Sequence, residues 1–410
     1  IGKHFHGLVT TSGYGIDELL DPLDNSEANS PVNSMGVNML PVMWLNDTTL
    51  VKADITNTNS TYGWYDYDNK KWANVVMFND SLYWDEYADA AVGTPIDVDY
   101  VSAYYVWIPR YKYQLFNVSF DSSYWSNIQK TNIEFESASS EKSDGTCNGT
   151  YSVPTNGCYY THPAFTWGTG VNKKELDGIW FGKFESSSVE VLPGVYFNTG
   201  PQSLLNTYYD SIKLGNDNYQ DIYGNDYPGQ YYLDMHLTKN IEWGATAYFS
   251  LSDYGLGTDA LLIYGGGEHD ETGGGVDYYN NTNRSTTGNV YGIYDMSGIN
   301  YEILMATTKN SNNDGLLYGS SGFDSTTLPF SLCSSNTYLD CYDYDMVGNI
   351  LGDGIGEMQG IQSTDISYPW IARSHHELSV GFFRSILQME YQSGNYSLTL
   401  TRVTAIWDEY

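Results

Sequence analysis

From Asn38 to Val98 the chain alternates apolar and polar residues in short runs. NMLPVMWL, LVKADI, GWYDYD and KWANVVMF are separated by Asn, Asp and Gly turns. A two-residue period of this kind predicts antiparallel strands with one face on a core. Residues 101–116, VSAYYVWIPRYKYQLF, predict a further strand pair broken at Pro109, which has no N–H for a ladder. ELDGIWFGKFE at 175–185 returns to strand, and 380–391 and 396–406 read as closing strands. The period changes at 239–253, KNIEWGATAYFSLSD, where Ile241, Ala245, Tyr248 and Phe249 share a helical face and Gly255 suits the stop. Residues 121–160 form a long excursion. Residues 255–290 are a Gly/Asn/Thr-rich loop, of a length that marks a functional or interaction surface in a compact domain. No fixed-period repeat is present, so a solenoid or propeller is not supported.

Residues 1–35 are a polar opening. Phe5 to Thr11 has modest strand character, and IDELLDPL offers one helical turn before Pro22 interrupts it. Such an end frays unless it docks. Its own domain and a neighbouring subunit are the two alternatives, with Phe5, Leu8 and Val9 as the assembly residues. The expected organisation is an arm at 1–35, a β-rich region at 36–99 and a larger domain at 100–410. The expected class is α+β, mostly β.

Composition narrows the partners. The net charge is −32, from 18 basic and 50 acidic side chains. A field of that sign repels phosphate backbones and anionic membrane surfaces, so no nucleic acid partner is expected. No run of about 18 apolar residues exists to span a bilayer. The 39 Tyr suit a β-rich fold, and also broad, half-wet contact surfaces. Ile1 is not Met, which fits removal of a leader or a start inside a longer chain.

The four cysteines fall into local pairs, Cys147/Cys158 and Cys333/Cys341, in Ser/Asn/Gly/Asp-rich stretches. Neither has CxxC spacing. Two loop-stapling disulfides, and hence an oxidising extracellular setting, are expected, with free buried thiols as the alternative. Glycosylation acceptor triplets begin at Asn46, Asn59, Asn79, Asn117, Asn148, Asn280, Asn283 and Asn395. They fit a secreted glycoprotein, although an Asn-, Ser- and Thr-rich chain produces such triplets by chance.

Residues 288–302 read GNVYGIYDMSGINYE. Gly292, Tyr294, Asp295, Met296, Ser297 and Gly298 match the string Gly-x-Tyr-Asp-Met-x-Gly of the formylglycine-generating (sulfatase-modifying) enzyme-like superfamily, and Tyr301-Glu302 stands where that family has Trp-Glu. Tyr105–Tyr113 (YVWIPRYKY), Ile179–Glu185 (IWFGKFE) and the helix with Trp243, Ala245, Ala247 and Tyr248 are similar to other family segments. The resemblance covers roughly 100–406 and implies a C-type-lectin-like fold. GWYDYDNKKWANVVMF, THPAF and MHLTKNIEWGATAY resemble large bacterial surface proteins carrying this module, which implies an extracellular location. The family's catalytic cysteines have no counterpart between Arg373 and Arg402, and its Arg-Gly-Gly is Arg373-Ser374-His375 here. Copper–thiolate chemistry needs soft sulfur ligands, so the resemblance implies a non-catalytic member.

Read from the residues alone, the central string is a core-anchoring turn, with Tyr294 and Met296 on one side and Asp295 on the other; a ligand site there is the competing reading. Asp343, Asp345, Asp353 and Glu357 lie among glycines, and hard oxygen ligands on such a loop suit calcium. Their spacing is not that of an EF-hand, so a solvated acidic loop competes. Glu268, Asp270 and Glu271 in GGGEHDETGGG invite the same two readings. His375 and His376 are adjacent, hence on opposite strand faces, and His4/His6 could share one face. No cofactor beyond calcium is expected.

The leading expectation is an extracellular structural or adhesive surface protein without catalysis. It would self-associate into a homo-oligomer or a filament through its arm. The alternative is a carbohydrate- or calcium-dependent binding module.

Overall fold

A computed structural model describes residues 27–35, 39–78, 81–114, 130–143, 159–184, 231–257, 278–294, 296, 306–312, 314–315, 330–335, 340–342, 352 and 403–409. The first strands are β1 (Met39–Leu45), β2 (Thr49–Lys52), β3 (Asn74–Phe78) and β4 (Val101–Pro109). β5 (Tyr111–Gln114), β6 (Asn132–Phe135), β7 (Tyr160–Thr161), β8 (Thr166–Trp167), β9 (Lys174–Glu175) and β10 (Gly178–Gly182) follow. The last are β11 (Tyr231–Leu237), β12 (Ala306–Thr308), β13 (Asp340–Tyr342) and β14 (Val403–Glu409). The helices are α1 (Ser81–Asp89), α2 (Asn240–Ser250) and a short α3 (Leu332–Ser335). The protein is α+β and dominated by antiparallel sheet, as the alternation predicts.

The main sheet has 7 strands in the order β11–β14–β10–β4–β3–β1–β2. Every neighbouring pair in it is antiparallel. It runs without a break across residue 99: β3 pairs with β4 in the register Val75↔Tyr105 and Val76↔Tyr104. β5, β6 and β7 form a second sheet of 3 strands beyond Pro109. β12 and β13 pair in parallel.

The short apolar runs locate β1, β2 and β3 well, but β1 and β3 are buried on both faces, not on one. GWYDYD differs: it forms no named strand, only isolated bridges from Gly63 to Asp54 and from Asp66 to Lys71, and its rings pack into the core. α1 is absent from the sequence reading because Tyr83, Trp84 and Tyr87 are equally at home in strands. Its helical period is visible in burial. Trp84 and Tyr87 face inward, whereas Leu82, Glu86 and Asp89 are exposed at i, i+4 and i+7.

α2 lies where the period predicts it, but from Ile241 to Ser250 it is buried on every side, not on one face. Its first turn is capped by carboxylates. Glu242 accepts from the Lys239 N–H at 2.8 Å, and Asp340 of β13 accepts from the Ile241 N–H at 2.9 Å. Gly255 matters for space: a Cβ there would lie 2.4 Å from the Ser250 carbonyl oxygen.

Six indoles, Trp64, Trp72, Trp84, Trp107, Trp180 and Trp243, are completely enclosed. Two of them tie down the root of the N-terminal arm. Trp107 donates to the Asn29 carbonyl at 2.9 Å and Trp180 to the Ser34 carbonyl at 2.6 Å. Asn29 donates in turn to the carbonyls of Glu136 and Asp177. Val32 and Met35 are buried with them. Residues 29–35 therefore dock on their own domain. Phe5, Leu8 and Val9 lie outside the described residues.

Candidate functional site

The central string is held by a buried lysine. β10 is apolar throughout (GIWFG) and delivers the next residue, Lys183, into the interior with no solvent exposure. Its ammonium donates to Asn74 Oδ1 at 3.0 Å and to the carbonyls of Val290 at 2.6 Å and Gly292 at 2.8 Å. The rings of Trp44, Tyr294 and Phe184 stand 4.6, 5.4 and 5.8 Å away. Burial pulls the Lys183 pKa well below the usual lysine range. Three acceptors oppose that pull, one for each N–H of an ammonium.

Asn74 completes the tie. Its Nδ2 donates to the carbonyls of Trp72 at 2.9 Å and Tyr291 at 2.8 Å. One lysine and one asparagine thus bind β3, β10 and residues 290–292 together. The segment also folds on itself. Thr286 N–H donates to the Ile293 carbonyl at 2.9 Å, and Ile293 N–H to Thr286 Oγ1 at 3.0 Å. A Cβ on Gly292 would lie 2.3 Å from Ser285 Oγ and 2.5 Å from Thr287 Oγ1, so this close approach requires glycine. Tyr294 and Met296 are both buried, on the core-anchoring side the sequence assigns them. A lysine with every N–H occupied and aromatic walls around it is a structural tie, with no free path to a substrate.

A second polar centre sits just past the end of β4. Arg110 is wholly buried, and its Nε donates to Glu136 at 3.0 Å and Nη1 to Glu175 at 2.9 Å. Nη1 also donates to the Phe165 carbonyl at 3.0 Å. Burial alone would raise the Glu175 pKa. Hydrogen bonds from Lys142, Arg110, Lys173 and Thr166 outweigh it and hold the carboxyl at about 2. This cluster pins β8 and β9 to the end of the main sheet.

His162 is the third centre. It is enclosed by the rings of Tyr111, Tyr113, Phe165 and Tyr248, and its Nδ1 accepts from the Ala164 N–H at 3.2 Å. Burial lowers its pKa to about 3, against a smaller opposing effect of the Gly352 backbone. Sequence reading did not single out Lys183, Arg110, His162 or Asn74. The signal for the two cations is in the sequence: each is a single cation within an apolar run, IWFGKF and YVWIPRY.

The other predicted residues divide cleanly. Cys333 and Cys341 form a disulfide, with Cα atoms 5.4 Å apart. Asn46, Asn59, Asn280 and Asn283 are all exposed. Asn46 and Asp47 have φ of 53° and 59° and, with Thr48, form the three-residue turn between β1 and β2. Cys147, Cys158, Asn79, Asn117, Asn148, Asn395, Asp343, Asp345, Asp353 and Glu357 lie outside the described residues. So do Glu268, Asp270, Glu271, Asp295, Ser297, Gly298, Tyr301, Glu302, His4, His6, His375 and His376. Among the described residues no group of three His, Cys, Asp or Glu side chains is placed to hold a metal ion. Among them, too, no helix is long and apolar enough to cross a membrane.

Comparison with family models, with curated proteins and with solved structures returns no match for this chain.

Proposed function

We propose that this protein is an extracellular structural subunit that assembles with copies of itself through its N-terminal arm and performs no catalysis. The observation that carries this reading is the root of the arm. Asn29 and Ser34 accept from the buried indoles of Trp107 and Trp180, so the chain that follows residues 1–26 is fixed on the main sheet. An arm anchored in that way can reach a neighbouring sheet edge at a reproducible angle, and strand donation makes a head-to-tail assembly. The Cys333–Cys341 disulfide and the exposed acceptor asparagines suit an oxidising, extracellular setting.

The framework we assign is C-type-lectin-like, of the formylglycine-generating enzyme-like kind without its cysteines. Support comes from one shared core that buries Trp243, Ala245, Ala247 and Tyr248 of α2 together with Tyr294 and Met296 of the central string. Deleting residues 1–20 tests the assembly reading. The shortened chain is expected to keep its melting transition and to remain monomeric. Assembly indistinguishable from that of the intact chain would overturn it.

A further inference from the structure

The contact between Lys183 and Asn74 sets an amine against a carboxamide. Lys183 Nζ lies 3.0 Å from Asn74 Oδ1. A C=O bond is about 1.23 Å long, so the carboxamide carbon Cγ is no more than about 4.2 Å from that nitrogen. Reacting atoms meet at about 3–3.5 Å, which a shift of about 1 Å or less reaches.

Both groups are held in place. Asn74 opens β3 and is 1% exposed, and its Nδ2 donates to the carbonyls of Trp72 and Tyr291 at 2.9 and 2.8 Å. The carboxamide cannot turn its oxygen away from the lysine without losing both bonds. Lys183 follows β10 and is walled by the rings of Trp44, Tyr294 and Phe184. The enclosure that bars a substrate also bars water, and it leaves the Asn74 carboxamide facing the amine. Burial favours the neutral, nucleophilic form of that amine. β3 and β10 flank β4 in the main sheet, so a bond between these side chains spans the central strand.

We propose that Lys183 and Asn74 join covalently, through an isopeptide bond formed inside the folded chain. The lone pair of Nζ attacks Cγ. The Nζ–Cγ bond forms, the Cγ–Nδ2 bond breaks, and one Nζ proton passes to Nδ2, which leaves as ammonia. Nothing is oxidised or reduced, and no other reactant is consumed. The new amide keeps one N–H for the carbonyls of Val290 and Gly292, which Lys183 already meets. The fold supplies proximity and the exclusion of water. The reaction runs once per molecule, so a slow rate suffices. Its product links positions 109 residues apart and constrains the unfolded chain as a disulfide does, without being reducible. The inference is independent of the self-assembly proposed above.

Mass spectrometry tests this. The full chain is made in a host that does not glycosylate, its fold is checked by circular dichroism, and it is then reduced, denatured and weighed. It is expected to be lighter than its sequence by one ammonia, about 17 Da. Tryptic digestion locates the bond. Lys183 no longer serves as a cleavage site, so peptide 72–110 is expected joined to peptide 175–213 in one branched species. Lys183→Arg is expected to show its full sequence mass. A folded chain at full mass overturns the proposal, and so does a Lys183→Arg variant that is still light. A loss of about 17 Da with peptides 72–110 and 175–183 recovered separately also overturns it, since that marks succinimide formation at an asparagine. The readings on the intact chain need no folded variant, and none of these outcomes bears on arm-driven assembly.

Discussion

Lys183 and Asn74 meet at 3.0 Å inside the protein, and neither reaches solvent. The asparagine turns its oxygen to the ammonium and its nitrogen to two carbonyls. Both groups act as one tie between two strands and residues 290–292. Lys183→Met keeps the volume but strands three acceptors. It is expected to lower stability by about 3 kcal/mol or more, read from the urea midpoint. Asn74→Asp supplies a carboxylate to the lysine yet faces two carbonyls with no N–H, so it too is expected to destabilise. An unchanged midpoint in Lys183→Met would remove the tie.

His162 makes acid stability measurable at one residue. The unfolded histidine titrates near 6.5, whereas the folded one stays neutral down to about 3. Between those values the unfolded chain binds the extra proton. The contribution of His162 is therefore fully present above pH 6.5 and is lost as pH falls toward 3, at up to about 1.4 kcal/mol per pH unit. His162→Asn keeps an acceptor for the Ala164 N–H. We expect it to be less stable at pH 7.5 and to show a flatter decline between pH 6.5 and 4, measured by urea titration at each pH.

The Asn46 triplet sits on a three-residue turn in which Asn46 and Asp47 are both left-handed. When the chain is secreted from a glycosylating host, a glycan is expected there and at Asn59, both exposed at loop tips. Asn46→Gly removes the acceptor while suiting the turn. It should lower the mass by one glycan and leave the melting temperature unchanged within about 2 °C. Asn46→Val, β-branched at positive φ, should cost about 1–2 kcal/mol by the same urea assay.

Calcium is the cofactor that Asp343, Asp345, Asp353 and Glu357, interleaved with glycines in the sequence, invite. A structural subunit held by Lys183, Arg110 and its aromatic core is expected to melt at the same temperature with and without EDTA. A fall of about 5 °C or more on chelation would favour the calcium-dependent binding module.

The strands of this fold are legible as short apolar runs between turn residues, NMLPVMWL and KWANVVMF, although β1 and β3 are buried on both faces rather than one, and Gly292 is legible as a turn. α1 is not, since aromatic residues such as Trp84 and Tyr87 serve helices and strands alike and only their 3.6-residue spacing in burial separates the two. The polar centres are hidden for another reason. Lys183 and Asn74 are 109 residues apart, and nothing local records which distant carbonyls a lysine in an apolar run will find. Arg110 illustrates the same point: its partners Glu136 and Glu175 lie 26 and 65 residues further along the chain.

Electron microscopy of the intact chain, negatively stained at about 0.1 M salt, tests self-assembly most directly. Linear arrays with subunits repeating head to tail are the predicted result; isolated single particles at every protein concentration would contradict it.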